Sequence, residues 1–477
     1  MGTCTGITRQ VVAVGWRGVS LALLGLTDVG LLWWGSGAST ALQLEAVLAG
    51  AAVGCAALLW IAGDRSFSRV PLWWVACMAI GLRLIAVQAA PLVEDDHYRY
   101  LWDGLRTATS FDPYRLPPSA YFGAAELKPQ WQDVLSGINN PDIPTIYGPL
   151  LQWLFALAHL IAPGRVGAIQ GLLLLVDLAC LGLLAQQRVG TRWLLVYALH
   201  PMILKEAMAS AHPDGIVALL LLLALVAWQR GLALRVGALL GLAVAAKVAA
   251  LVVVPLFLFG RRRSDDLDPS IGVRMHAEWT SALGVGAGFV ASLSLMYLPF
   301  IAAGGSDGAA LQTFATEWRF NPLLFRLVEA WLSTGTARVA AASLLLAGLA
   351  GLVWHWHLRA RLRAPGLPPA DQALLLLLLL APVVNPWYWL WALAPAVLAG
   401  RCAVAAVAAA SALSYLNTSV LREAGWLALD NSAAPFSVGW PIAMVQLAVL
   451  GLAWTLPRVW GHKVWGHVSR LRVKQEI

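Results

Sequence analysis

Charge is what this chain lacks most. Asp, Glu, Lys and Arg together make up 12% of its 477 residues, against about a quarter in soluble domains, and that shortage excludes a soluble fold. Cysteine is sparse as well. Cys4, Cys55, Cys77, Cys180 and Cys402 stand at no pairing or metal-ligand spacing and mostly within apolar runs, so they read as small hydrophobes and not as a disulfide scaffold. No glycine-rich phosphate loop, nucleotide fingerprint or nucleic-acid motif occurs, so the net charge of +8 is not the footprint of a nucleic-acid binder. The first apolar segment has no A-x-A-like exit and reads as an uncleaved first helix.

Apolar residues fill the space left by charge, at 59% of the chain. Runs long enough to cross a bilayer, roughly 17 to 25 residues each, recur along the whole length. They predict an all-α, polytopic integral membrane protein of about 11–13 transmembrane helices. The expected helices lie near 11–34, 41–62, 71–91, 147–163, 166–187, 190–206, 211–229, 232–260, 280–302, 337–357, 371–400 (a pair of short ones), 402–420 and 437–456. Four parts follow: N-terminal membrane helices 1–91, an extracytoplasmic loop 92–148, a helical core 149–456, and a basic cytoplasmic tail 457–477.

Basic residues gather at Arg65/Arg69, Arg261–Arg263, Arg359/Arg361/Arg363 and the tail with its two Val-Trp-Gly-His repeats. The positive-inside rule makes these cytoplasmic and places both termini inside. The loop at 92–148 is acid-rich by contrast and faces the other side. Counting crossings through 147–260 then puts Arg188, Arg192, Arg230 and Arg235 outside and the His212–Asp214 turn inside. Both placements conflict with the charge rule, and short or re-entrant helices, such as 232–246 followed by 247–260, would relieve the conflict.

The loop opens on PLVEDDHYRYLWDG. Three adjacent acids, Glu94, Asp95 and Asp96, stand where a hydrophobic segment ends; such clusters are costly beside a membrane and mark functional sites. Helix capping explains one of them but not three. After them Tyr98, Leu101, Trp102 and Leu105 share one helical face, with Asp96, Arg99, Asp103 and Arg106 on the adjoining stripe. The pattern predicts an amphipathic helix lying in the interface, apolar side to acyl chains and charged side to water.

The run DDHYRYLWDG, with FDPY after it and IYGP at the end of the loop, resembles the first extracytoplasmic loop of the GT-C glycosyltransferases. More narrowly, it is similar to that of bacterial relatives of polyprenyl-phosphate-mannose-dependent mannosyltransferases. His200-Pro201 through Glu206, Ala211-His212-Pro213-Asp214, Lys247 ahead of VVVPLFLF, and NPWYWLW at 385–391 resemble further landmarks of those enzymes in the same order. Two features depart from the pattern: two extra helices precede the paired acids, and Pro213 stands where a polar residue is usual.

The resemblance implies inverting transfer of a hexose, mannose by resemblance, from a polyprenyl-phosphate donor to a hydroxyl of a glycan, glycolipid or protein acceptor. It implies an enzyme of the bacterial inner membrane with its catalytic loop in the periplasm, membrane lipid around it and no nucleic-acid partner. Asp95 is the first choice as general base and Asp96 its close rival, since a hydroxyl nucleophile needs a carboxylate within hydrogen-bond reach. Glu94, Tyr147, Glu206, His212, Asp214 and Tyr388 are candidates for binding the acceptor. Arg99 and Lys247 are candidates for the lipid phosphate, with Lys205 and Arg319 behind them. Against these stand a surface pair of Arg99 with Asp96 or Asp103, snorkelling of Lys247 and a plain interfacial belt for Trp389 and Trp391. No cofactor is required; a divalent cation, Mg or Mn, at Asp95/Asp96 stays open. The rival function is a secondary transporter or flippase for lipid-linked sugar, which predicts internal repeats and acids near the bilayer midplane; neither is found.

Overall fold

The structure, a computed structural model, describes residues 4–259, 271–362, 366–424 and 439–455. Arg261–Arg263, Arg363 and the basic tail 457–477 with its repeats lie outside the described residues. Helices dominate: α1 (Cys4–Gly35), α2 (Thr40–Gly63), α3 (Leu72–Ala86), α4 (Asp96–Thr109), α5 (Pro129–Ser136), α6 (Pro149–Ile161), α7 (Val166–Gln186), α8 (Thr191–Ala198), α9 (Gly215–Arg230) and α10 (Ala233–Ala246) come first. After them come α11 (Val254–Leu258), α12 (Ile271–Ala302), α13 (Gly308–Glu317), α14 (Leu324–Glu329), α15 (Thr334–Leu362), α16 (Ala370–Leu380), α17 (Leu390–Leu398), α18 (Cys402–Ala410), α19 (Thr418–Glu423) and α20 (Gly439–Thr455). Among the described residues, five helices are long and apolar enough to cross a membrane, and eight shorter apolar helices accompany them. The protein is therefore a polytopic, all-α membrane protein. Leu59, Leu175, Leu283 and Leu346 point outward from the long helices, as lipid-facing side chains do.

Several expected spans are broken, and their sequences say why. Ala381 and Asn385 each precede a proline and are extended (ψ 143° and 150°), which divides 371–400 into the expected pair of short helices, α16 and α17; a residue before proline is driven out of helical backbone. Lys247 is also extended (φ −146°, ψ 121°) and ends α10, as the short-helix reading of 232–260 anticipates. Beyond α8 the chain runs through a π-helical turn at Ile203–Ala209 and then the His212-Pro213 turn before α9 starts. Unwound backbone is tolerated in a membrane protein where it lines a cavity, and all three breaks flank one cavity or its wall. Among the described residues the one β-bridge joins Phe320 to Val383, pinning the 318–322 segment beside the break before Asn385.

Helix α6 bears on the conflict in counting. It has 13 residues, about 20 Å at 1.5 Å each, too short for a hydrocarbon core of about 30 Å. Its start follows Tyr147 of the loop, and His159 near its end packs on Trp131 of α5 at 5.5 Å between centroids. Both ends therefore stay on the loop side. The His212–Asp214 turn lies with the loop, His212 Nε2 being 3.8 Å from Asp96, while Arg192 donates to the Ile61 carbonyl of α2 at 2.8 Å.

The orientation expected for α4 is corrected. Its supposedly water-facing Arg99 and Asp103 are buried, and so are Leu101 and Trp102. Helix α4 is held between α6 and the rest of the loop, with Gly104 against the Phe155 carbonyl so closely that a Cβ would sit 2.5 Å from it. Periodicity reveals an apolar face but not what covers it; here the cover includes Tyr121, whose ring meets Trp102 at 5.1 Å, and α5.

Candidate active site

The three acids sit at the mouth of the buried core, each half-buried. Val93, just before them, has φ +62°, a left-handed conformation that a β-branched residue adopts only under constraint. Its N–H donates to Gln43 Oε1 of α2 at 2.7 Å, while Gln43 Nε2 donates to the Ala38 carbonyl at 2.8 Å. The strained turn aims the carboxylates inward.

Asp96 is the hub. Its Oδ2 accepts from the Tyr147 hydroxyl at 3.1 Å and faces the Tyr100 hydroxyl at 3.4 Å. Its Oδ1 accepts from Asn139 Nδ2 at 3.1 Å, and the same amide donates to Asp95 Oδ1. His212 Nε2 stands 3.8 Å from Asp96 Oδ2, and its Nδ1 lies 3.1 Å from Glu206 Oε2, off the line of a good hydrogen bond. Glu206 in turn takes Lys205 Nζ at 3.1 Å and the Tyr415 hydroxyl at 2.8 Å.

Burial, then the neighbouring Asp96, raises the Asp95 carboxyl to about 6 despite the Asn139 amide. Glu94 is raised well above the usual range by burial, against the pull of Lys205. His97 is pushed down to about 4, again by burial. A crowd of carboxylates in a half-dry site thus keeps proton affinity high, the state a general base needs.

A cavity of about 960 Å³ opens in front of these groups. Glu94, Asp96, Arg99, Tyr147, Lys247 and Tyr388 line it, and so do Asn139, Asn140, Asn321, Asn385 and Asn417 with Trp318 and Trp387. Amides and aromatic faces are what a polyhydroxylated ring requires, hydrogen bonds at its edge and apolar contact on its face.

Residues 2–260 match the N-terminal domain of the alpha-(1->6)-mannopyranosyltransferases, more than half of the chain. The chain belongs to that family. It is a GT-C-type mannosyltransferase, an enzyme of the glycosyltransferase class, which decides against the transporter reading. No curated protein and no solved structure matches it.

Most candidates converge on the mannosyltransferase's cavity, in two layers. Lys247 stands over the Tyr147 ring at 4.5 Å and the Tyr388 ring at 5.7 Å, and 3.9 Å from Asp214 Oδ1. It is a fixed cation on the cavity wall, not a snorkelling one. Asp214 is fully buried and accepts from Trp391 Nε1 at 2.6 Å, so Trp391 is more than a belt residue. Glu206 and His212 are fully buried too; they stand behind Asp96 rather than on the cavity surface. Arg99 lines the cavity but donates to the carbonyls of Asn140 (2.9 Å) and Ile143 (3.0 Å), which anchors the far side of the loop. Arg319 pairs with Glu329 at 2.7 Å. Asn139 and Tyr415 were missed by the sequence reading. Asn139 carried a weak signal in the Asn-Asn-Pro turn; Tyr415 carried none.

Proposed function

We propose that this mannosyltransferase moves a mannosyl unit from a polyprenyl phosphate to a hydroxyl of a glycan acceptor, with inversion and with Asp96 as general base. The acceptor oxygen attacks the anomeric carbon as Asp96 takes its proton, and the bond to the phosphate oxygen breaks with its electron pair. The leaving group is already a phosphate, so no carboxylic acid needs to protonate it, unlike a glycosidase. Lys247 is the cation suited to the charge that develops there. The observation that carries this reading is Asp96 itself: of the two aspartates it alone lines the cavity, and three neighbouring donors fix its oxygens. Asp95 then serves as its neighbour, sharing the Asn139 amide with it. Glu94, Tyr147 and Tyr388 face the acceptor sugar.

The reading uses no metal. Among the described residues no three His, Cys, Asp or Glu side chains converge as a metal site. The place between Asp95 and Asp96 where a cation would bridge holds the Asn139 amide nitrogen, a donor. Hard divalent cations take oxygen ligands. The loop faces the periplasm of a bacterial inner membrane, with both termini in the cytoplasm.

Asp96→Asn in purified enzyme reconstituted in lipid, given a mannosylated polyprenyl phosphate and an oligomannoside, is expected to abolish product while the protein stays folded. Asp95→Asn is expected to retain measurable transfer. Full activity of Asp96→Asn would overturn the assignment.

A further inference from the structure

We infer that His212 and Glu206 form a proton store behind Asp96, acting through it and never touching the sugar. This rests on Asp96 being the base. Once Asp96 has taken the acceptor proton, the proton passes from its Oδ2 to His212 Nε2. The imidazolium so formed is balanced by Glu206 and holds the proton while the products leave. The proton then returns through Asp96, which lines the open cavity, to water, and both groups are reset for the next turnover.

The geometry carries the inference. The imidazole is fully buried, with neither nitrogen in a good hydrogen bond, yet one nitrogen faces Asp96 at 3.8 Å and the other faces Glu206 at 3.1 Å. A buried unpaired polar atom is rare and calls for a reason. The ring is not free to turn away. It stacks on Trp387 at 3.8 Å with planes 11° apart, and Tyr100 meets it edge-on at 6.4 Å. The backbone N–H of His212 donates to the Glu206 carbonyl at 2.9 Å. Ala211, just before it and fully buried, has φ +61°, a conformation an L-residue keeps only when its surroundings enforce it. Glu206 is itself braced by Lys205 and Tyr415. A carboxylate–imidazole pair fixed this way, with its open nitrogen toward a second carboxylate, has the arrangement by which an acid orients an imidazole and stabilises its cation.

The test uses full-length enzyme in lipid, with kcat and KM measured for donor and acceptor. His212→Phe keeps the stack on Trp387 and removes both nitrogens. It is expected to lower kcat by about 10²-fold or more and leave both KM values unchanged. His212→Gln, whose amide can hydrogen-bond to Asp96 but cannot take a proton, is expected to stay as slow as His212→Phe; recovery in it would show a hydrogen-bonding role and overturn the proton transfer. Glu206→Gln, close in shape, is expected to lower kcat in the same way and serves if His212→Phe does not fold. Wild-type kcat in either folded variant, beside an inactive Asp96→Asn, would overturn the proton store and leave the base in place. Activity in Asp96→Asn would instead overturn the base.

Discussion

Asp95→Asn at pH 8 is expected to make the folded enzyme more stable. Asp95 is half-buried, and its carboxyl is raised from 3.8 to about 6, first by burial and then by Asp96. A carboxyl with a folded pKa above its unfolded one binds protons more tightly when folded. Its stability contribution is therefore best below about pH 4 and worsens as pH rises through about 4 to 6. A shift of about two units at 1.36 kcal/mol each gives a ceiling of about 3 kcal/mol, which partial exposure to solvent reduces. Asparagine keeps the side chain's shape, and its oxygen can still accept from Asn139. The substitution thus removes the penalty above pH 6 and changes little at pH 4. Apparent Tm of wild type and variant in the same detergent, at pH 4 and pH 8, measures it. The two should coincide at pH 4 and separate by a few degrees at pH 8, with the variant higher. A variant that melts lower at pH 8, or an offset that ignores pH, would refute the reasoning.

Two further outcomes follow from single side chains. Arg99→Ala takes the donor from the carbonyls of Asn140 and Ile143, each worth about 1–3 kcal/mol where buried; faster protease cleavage between residues 137 and 146 should report it. Lys247→Met keeps the apolar stem over Tyr147 and removes the cation, so transfer in the folded variant should fall by about 10²-fold and Tm should drop as buried Asp214 loses its partner; equal activity would remove Lys247 from the phosphate.

Much of the site was legible because its chemistry is local in sequence. Three adjacent acids announce themselves, and an isolated Lys247 or a residue before Pro386 marks a helix break without any fold. What was not legible depends on distance. Asn139 is 44 positions from Asp95 and Tyr415 is 209 from Glu206, so nothing beside either residue discloses its partner. The ranking of the aspartates turned on which one meets the cavity, and neighbours in sequence share every local signal. The contact at the end of α6 was hidden for a different reason: hydropathy measures how apolar a segment is, not where its end arrives. The same holds for α4, whose charged stripe reads as solvated until the carbonyls of the 139–143 turn are seen to receive Arg99.

The hydrogen bond between Gln43 and Val93 gives the two additional leading helices a purpose. Val93 in isolation would relax to extended backbone, and the three acids after it would swing with it. The acceptor that prevents this belongs to α2, a helix that crosses the membrane. The direction of the carboxylates is thus anchored in the bilayer as well as in the loop that carries them.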